Sequence, residues 1–460
     1  MRYTKTIMLA AMGVMLSGHA FSADLSQEEI SKLGDSLTPF GAVKAGNEAG
    51  TIPAWTGGVC APPANYDPIE GDRGGSPYAN PFPDEEPRLV ITAENMSQYA
   101  DKIDAGTKAL MKRYPETFRM DVYPTHRTAC FPDWAYKNTI ENVEKPRLVG
   151  DAPGLEGAHA QVPFPMPKDG YQAMWNSNVK FDQPRSGGTQ AAYLVDASGN
   201  STLLSIQNIP NRNYYWDNEL DAVPKNQPYW MLLAETVDPS SVAGTKQMRH
   251  SFTNAHERAT MAWSYVPGQR RVRLAPEFKY DTVSTQSGGI LLYDEINGFS
   301  GDMDKFNFKL VGRKEMFVPY NAYELWAADP EISNTPNHVN PDVMRWELHR
   351  VWEVEATLKE GERHVQMVKR FFLDEDSWSI LSYHSLDHGG NIHHVMHQPP
   401  VQRYEVPMFS NGQYALYDFS KGIYSHGSLM GAPGMTGFPR IESFPPNFFT
   451  PGSMAGSGLR

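Results

Sequence analysis

The stretch that decides the fold is residues 344–397, MRWELHRVWEVEATLKEGERHVQMVKRFFLDEDSWSILSYHSLDHGGNIHHVMH. Over residues 344–358 bulky apolar residues alternate with polar ones, and this period of two is typical of a β-strand. The apolar side carries Trp346, Leu348, Trp352, Val354, Ala356 and Leu358, and the other side carries Glu347, His349, Glu353, Glu355 and Thr357. Short turns separate three further predicted strands, at 364–373, 378–386 and 392–397. Strands joined by turns this short are antiparallel neighbours.

The same period of two recurs upstream of this stretch. A hairpin is predicted from Ala262–Val266 and Arg271–Leu274, and further strands are predicted at 202–209, 230–237 and 309–318. Crossover helices are scarce between these strands, which argues against a parallel α/β sheet. The sequence therefore predicts a mostly β (α+β) fold, with a curved antiparallel sheet as its β domain, residues 151–424.

The residues before and after the β domain differ from it in composition and in their pattern of apolar residues. Residues 24–150 are rich in Pro and Gly and predict an irregular N-terminal wrap with two helices. One begins at a capping box, Ser26 to Glu29; the other begins at Thr92 and continues towards Pro115, with an apolar stripe. That stripe consists of Met96, Tyr99, Ala100, Ile103, Leu110 and Met111. Residues 425–460 are rich in Gly, Pro and Met and predict an extended tail.

The first residues, 1–23, have the organisation of a signal peptide. Arg2 and Lys5 precede an apolar stretch over residues 7–16, and small residues allow cleavage after Ala20 or Ala23. The apolar stretch is shorter than the roughly 20 residues of a membrane-spanning helix. We expect an exported, periplasmic protein; a buried N-terminal helix is the alternative.

Charge and cysteine content narrow the choice of partners and compartment. The net charge of −12 argues against nucleic acid or an anionic membrane surface as the main partner. The chain has two cysteines, Cys60 and Cys130, in loop-like contexts. In an oxidising periplasm such a pair predicts a structural disulfide.

Catalytic motifs are largely absent from the sequence. It has no GxSxG, P-loop, GxGxxG or HExxH motif, so no catalytic residue and no cofactor is predicted. Five histidines, His384, His388, His393, His394 and His397, cluster on one predicted hairpin. We expect them to be exposed and predict no metal, with a metal site on this hairpin as the alternative. We expect the arginine-rich run at residues 270–273 to form a solvated or ion-paired strand edge, with the acidic side of strand 346–358 as its natural partner.

The aromatic and aliphatic face of strand 346–358 admits two interpretations. Such a face normally packs as core against helices. Where helices cover it incompletely, it lines an apolar cleft that can hold an acyl chain or a sterol-like ligand. Trp346, Leu348, Trp352 and Val354 are therefore the candidate ligand-binding residues, with the core as the alternative.

Several blocks of the chain closely resemble the exported bacterial family known as domain of unknown function 1329. They include LTPFGAVKAGNEAGTIPAWTGG (37–58), GLEGAHAQVPFPMPKDGYQAMWN (154–176) and LVGRKEMFVPYNAYEL (310–325), and longer blocks at 91–134, 262–282 and 347–390. The later half also resembles the LolA/LolB-type lipoprotein-sorting proteins, through the hairpin from Trp263 to Val272 and the turns at Asp374 and 387–390.

This resemblance implies an incomplete antiparallel barrel with helices on its concave apolar face, able to hold acyl chains. It also implies a periplasmic carrier or accessory role beside an inner-membrane exporter of the resistance–nodulation–division type, with a possible association with the outer membrane. The preferred function is non-enzymatic binding or transfer of a hydrophobic, lipid-like molecule between the two membranes. The alternatives are a structural component of an envelope export system and a metal-dependent hydrolase at the histidine-rich hairpin.

Overall fold

The computed structural model describes residues 21–22, 25–64, 66, 78–151, 153–276, 278–284, 287–404, 406–432, 434–435 and 439–456. The helices are α1 Gln27–Ser31, α2 Ala105–Arg113, α3 Asp133–Glu141, α4 Gly170–Asn178, α5 Tyr323–Ala327, α6 Pro330–Ser333 and α7 Pro451–Gly456. The strands are β1 Phe21–Ser22, β2 Leu89–Ile91, β3 Met120–Val122, β4 Arg147–Val149, β5 Gly154–Glu156, β6 Arg185–Ser186, β7 Thr189–Val195, β8 Ser201–Asn208, β9 Asn211–Asn213, β10 Trp230–Asp238, β11 Lys246–Ser251, β12 Met261–Val266, β13 Arg271–Leu274, β14 Phe306–Pro319, β15 Trp346–Leu358, β16 Val368–Asp374, β17 Ile380–Leu386, β18 Ile392–His397, β19 Val401–Arg403, β20 Met408–Ser410, β21 Tyr414–Asp418 and β22 Ile423–Leu429. Most of the predicted signal peptide lies outside the described residues.

The predicted meander is confirmed. β15, β16, β17 and β18 pair in sequence order, each antiparallel to the next, as the short turns require. The predicted hairpin is β12 and β13, and the strands predicted at 202–209, 230–237 and 309–318 are β8, β10 and β14. The chain is therefore mostly β, as predicted.

Antiparallel pairing continues through one large curved sheet. Its order is β14, β15, β16, β17, β18, β21, β22, β7, β8, β10, β11, β12 and β13. Among the described strands, no pairing joins β13 back to β14, so the sheet is open. The placement of helices on its concave face stays a prediction. α4 packs against β14 and β15, and Gly170 permits this close approach, because a Cβ there would lie 2.5 Å from the carbonyl carbon of Phe308.

The polar side of β15 is buried as well as the apolar side. Glu347 and His349 are as inaccessible as Trp346, because the N-terminal wrap lies over them. The backbone amide of His126 donates to Glu347 at 2.8 Å, and that of Tyr123 donates to the carbonyl of Trp346 at 2.8 Å. An amphipathic strand in the sequence has thus become a strand covered on both faces.

The predicted ion pairing of this acidic side with the arginine-rich run is wrong. Glu347 pairs with Arg345, and Glu353 pairs with Lys314 and Arg370, all of which are nearer along the sheet. The arginines of the run, Arg270, Arg271 and Arg273, are exposed, as expected of a solvated edge.

The N-terminal wrap confirms two predictions and corrects one. The capping box from Ser26 to Glu29 begins α1, and Cys60 and Cys130 form the disulfide with a Cα–Cα distance of 5.4 Å. The helix predicted from Thr92 is wrong in extent, because it breaks before α2. Asp104 caps α2 by accepting hydrogen bonds from the amides of its first turn, while a separate 3₁₀ turn covers residues 96–99.

The C-terminal residues pack against the sheet. The sheet extends beyond residue 424, because β22 pairs with both β21 and β7. Further on, Phe449 and Met454 join a cluster with Met231, Leu233 and Met248 on one face of β10 and β11. No helix in the described part of the chain has the length and apolar character needed to cross a membrane.

Candidate ligand-binding cavity

A cavity of about 280 Å³ lies against the half of the sheet formed by β7 to β11. Alternation along the strands decides which side chains face it. On β10, Trp230, Leu232 and Ala234 line the cavity, whereas Met231 and Leu233 point to the C-terminal cluster on the other face. The other half of the sheet, around β14 to β17, is filled by a continuous hydrophobic core with α4. The cavity is thus bounded by a solid core on one side and by a single sheet layer on the other.

A second wall of the cavity is the segment 287–300, called here the cover. Leu291, Ile296 and Phe299 supply apolar surface from this segment. Two adjacent acids tie the cover to the sheet from its buried side. Asp294 accepts from Lys369 of β16 at 2.6 Å, and Glu295 contacts Nδ1 of His394 of β18 at 2.8 Å.

These pairs are ionic because each charge compensates the other. Burial opposes ionisation of Glu295, but the charge of His394 lowers the pKa of Glu295 to about 2. Burial likewise opposes protonation of His394, but Glu295 and Asp418 raise the pKa of His394 to about 9. Removing one member of such a buried pair typically costs about 3–5 kcal/mol, so the cover is firmly held.

Polar side chains alternate along one edge of the cavity. Gln207, Ile209, Asn211 and Asn213 are spaced by two residues across β8 and β9, and all four line the cavity. Gln207 and Asn211 are each at least nine-tenths buried, and Nε2 of Gln207 and Oδ1 of Asn211 have no hydrogen-bond partner among the described residues. Oδ1 of Asn178, at the end of α4, is in the same state. Buried polar atoms are normally paired, and these three unpaired ones all belong to residues that line one cavity.

A lysine and an aspartate complete the polar lining. Lys180 and Asp182 follow α4, and both line the cavity. Burial lowers the pKa of Lys180 and raises the pKa of Asp182. The ammonium of Lys180 forms no salt bridge or hydrogen bond with another described residue. Trp230, Leu232, Phe299 and Phe409 provide apolar surface in the same cavity, so its lining suits an amphiphilic molecule.

The histidine-rich hairpin is not the exposed group that its sequence suggested. His384, His394 and His397 are buried, because α2 packs on β17 and β18 and the cover reaches His394. Nδ1 of His384 lies 3.1 Å from Oδ1 of Asp104, and Nε2 of His397 lies 2.9 Å from Oγ1 of Thr107. The expectation of solvated histidines is therefore wrong for these three. Of the five, the turn residue His388 is exposed, and His393 is half-buried.

The hairpin histidines do not converge as metal ligands. In the parts of the chain that the structure describes, one group has three ligand atoms within 4.8 Å of one another, and it consists of His349, Asp374 and Asp376. Both carboxylate oxygens of Asp376 accept from Arg127, at 2.6 and 2.8 Å. The carboxylate of Asp376 is thus already paired with a guanidinium.

The four candidate residues of β15 lie away from the cavity. Trp346 and Leu348 belong to one hydrophobic cluster, Val354 belongs to the core with α4, and Trp352 packs against that core. None of the four lines the cavity. Their part in ligand binding stays a prediction.

The cavity residues were missed because each one is unremarkable alone. One signal was available in residues 207–213, where four amides, Gln207, Asn208, Asn211 and Asn213, occur within seven residues at the end of a predicted strand. Asparagine is depleted in strands, so a concentration of amides there indicates a polar site. The contribution of the cover had no comparable signal, because its contacts to β16 and β18 are long-range.

The fold and this lining define a mostly β protein with a cavity whose lining is amphiphilic. The chain belongs to the family described as protein of unknown function (DUF1329), whose model matches residues 90–455. It is 35% identical over 441 residues to the uncharacterized protein PA3922 of Pseudomonas aeruginosa, with 92% of each chain covered.

Two solved structures are similar at a lower level. A DUF1329 family protein from Desulfovibrio piger is 12% identical with a TM-score of 0.43, covering 62% of this chain and 97% of that one. A LolA superfamily protein from Nitrosomonas europaea is 8% identical with a TM-score of 0.37, covering 62% and 98%. Scores this low support no inference about function.

Proposed function

We propose that this protein binds a small lipid-like, amphiphilic molecule in the cavity between β7–β11 and the cover, and carries it without chemical conversion. The observation that carries the proposal is the lining itself, in which apolar side chains occur together with three amides that each have one buried atom without a hydrogen-bond partner. The volume of about 280 Å³ is close to the lower end of the range for ligand pockets, roughly 300 Å³. A cavity of this size suits one small amphiphile.

The proposal includes the compartment and the route. The sequence predicts export, and a carrier in the periplasm would move its ligand between the inner and outer membranes. The wrap does not compete for the cavity, because no described residue before Ser177 lines it. A partner in the inner membrane, such as an exporter, stays a prediction from the sequence resemblance.

A cavity-filling substitution tests the proposal. Ala192 lines the cavity from β7, and Ala192→Phe would place a phenyl ring there. Since one benzene occupies an apolar cavity of about 150 Å³, the ring would take a large share of the space. We expect a fluorescent fatty acid to bind the parent saturably and to bind Ala192→Phe at least tenfold more weakly.

The matched control is Ala197→Phe, in the exposed loop between β7 and β8. It should bind the probe as the parent does. Native mass spectrometry of the freshly purified parent should also show a bound mass that solvent extraction removes. The proposal is overturned if the parent neither carries such a mass nor binds the probe, or if Ala192→Phe binds like the parent while remaining folded.

A further inference from the structure

We propose that the hairpin of β12 and β13 is a docking surface for a membrane that contains anionic phospholipids. The surface consists of Arg270, Arg271 and Arg273 together with the exposed residues Val242 and Val266, and it is called here the edge patch. The proposal concerns a partner and not the ligand of the cavity. It therefore goes beyond the proposed function, and the two can be tested separately.

The first argument is the charge of the edge patch. All three arginines are exposed, and their side chains form no salt bridge or hydrogen bond with another residue in the described part of the chain. The whole chain is acidic, with a net charge of −12. At physiological salt, however, the Debye length is about 8 Å, so the charges nearest a bound surface decide its attraction. At the edge patch these are three guanidinium groups within four residues, which suit an anionic surface.

The second argument is the apolar part of the edge patch. The turn after β10 and the turn after β12 lie against each other, because a Cβ on Gly244 would be 2.9 Å from Cγ of Pro267. These turns present Val242 and Val266, which are 43% and 39% exposed. Binding at a membrane interface gains both from buried apolar area and from attraction to anionic lipids. An acidic peptide would use the arginines but would not need the valines.

The third argument is the position of the edge patch at a free edge of the sheet. Among the described strands, β13 pairs with β12 alone. Ala234 and Gln247 line the cavity, and the register continues from Gln247 through Ser264 to Arg273. Directly paired residues point to the same face, so Arg273 lies on the cavity face of the sheet. The opposite face of the hairpin packs against the C-terminal residues through Val272. A membrane at this edge would adjoin the cavity face, which suits a carrier of lipid-like molecules.

The experiment measures co-sedimentation of the exported chain with two kinds of vesicle, phosphatidylcholine alone and an equal mixture of phosphatidylcholine and phosphatidylglycerol. We expect binding to the mixed vesicles at about 0.15 M salt, and loss of binding at about 1 M salt, where the Debye length falls to about 3 Å. An arginine near an anionic surface contributes about 1 kcal/mol, which is about fivefold in affinity. Replacing Arg270, Arg271 and Arg273 together by Gln should therefore weaken binding about 100-fold, and replacing them by Lys should retain it.

The matched control replaces three exposed lysines that lie far apart in the sequence, Lys112, Lys145 and Lys225, by Gln. It changes the net charge by the same amount and should bind the mixed vesicles as the parent does. Circular dichroism checks the fold of each variant. All variants should bind a fluorescent fatty acid in solution as the parent does, because none of the replaced residues lines the cavity.

Two results would overturn the inference while leaving the proposed function to its own test with the fatty acid. The first is a parent that does not bind the mixed vesicles, including one that binds a polyglutamate peptide instead. The second is a folded Gln variant that binds the vesicles as tightly as the parent. The arginines would then serve only to keep the free edge of β13 from pairing with another chain.

Discussion

Substitution of two leucines tests whether a ligand binds in the cavity or on the face of β15. Leu348 on β15 is 7% exposed and belongs to a packed cluster, whereas Leu232 on β10 is half-buried and lines the cavity. Leu348→Ala removes packed atoms, which costs about 2–5 kcal/mol of unfolding free energy. Leu232→Ala enlarges an existing cavity and should cost less than half of that.

The two substitutions should affect ligand binding in the opposite order, so that Leu232→Ala has the larger effect. Three carbon atoms are lost in each variant, and full burial of a carbon contributes about 0.8 kcal/mol. A ligand that contacts one side of Leu232 would lose about half of the total, or about 1 kcal/mol, which weakens binding about fivefold. Leu348→Ala should leave the Kd unchanged.

The assay pairs urea denaturation with titration of a fluorescent fatty acid at a temperature where both variants are folded. Circular dichroism confirms the fold of each variant before titration. Weaker binding by folded Leu348→Ala, with unchanged binding by Leu232→Ala, would refute the assignment of the cavity. It would place the ligand on the face of β15 that the sequence indicated.

Three further predictions concern stability. Replacing Cys60 and Cys130 by Ser should lower the unfolding free energy by roughly 2–4 kcal/mol, because the disulfide closes a separation of 70 residues; identical urea midpoints with and without it would contradict this. Burial and the neighbouring carboxylate of Asp376 raise the pKa of Asp374 to about 8, so the stability that its proton provides is complete below about pH 4 and is lost progressively as pH rises to about 8. Asp374→Asn should flatten the fall in melting temperature between about pH 4 and 8, and an unchanged slope would count against it. Asp104→Ala should lower the unfolding free energy by about 3–5 kcal/mol, because it removes both the cap of α2 and the buried partner of His384. The control Asp101→Ala, at an exposed position, should change it by less than about 0.5 kcal/mol in chemical denaturation. Equal effects of the two substitutions would show that the buried pair contributes nothing.

Local pattern was sufficient to predict the strands of the sheet. The alternation from Trp346 to Leu358 and the short turns after it set the pairing of β15 to β18, because antiparallel neighbours need only local connections. The disulfide followed from having one pair of cysteines. The extent of α2 was not predicted, because Asp104, which starts the helix within the predicted stripe, is in contact with His384 from a distant strand.

The candidate site was less predictable, for the same physical reason. A histidine on a hairpin is expected to be exposed. His384 is instead in contact with the carboxylate of Asp104, which lies 280 residues earlier in the chain at the start of α2. The polar side of β15 is likewise expected to be solvated, but the N-terminal wrap covers it, and the backbone amide of His126 donates to Glu347. In both cases a long-range partner changes the environment of a residue while leaving its secondary structure as predicted.

Buried polar atoms without a hydrogen-bond partner occur in both halves of the sheet, among them the indole nitrogens of Trp346 and Trp352 on β15. Around β15 to β17, buried charges are matched: Arg127 covers Asp376, and Arg345 covers Glu347. Among the residues that line the cavity, the three amides Asn178, Gln207 and Asn211 each have an unpaired atom. Leaving a buried donor or acceptor unpaired costs about 1–3 kcal/mol, so three of them approach the whole stability of an ordinary domain, about 5–15 kcal/mol. Apolar residues at these positions would stabilise the empty protein. Their polarity is accounted for if the cavity holds the amphiphilic ligand proposed above.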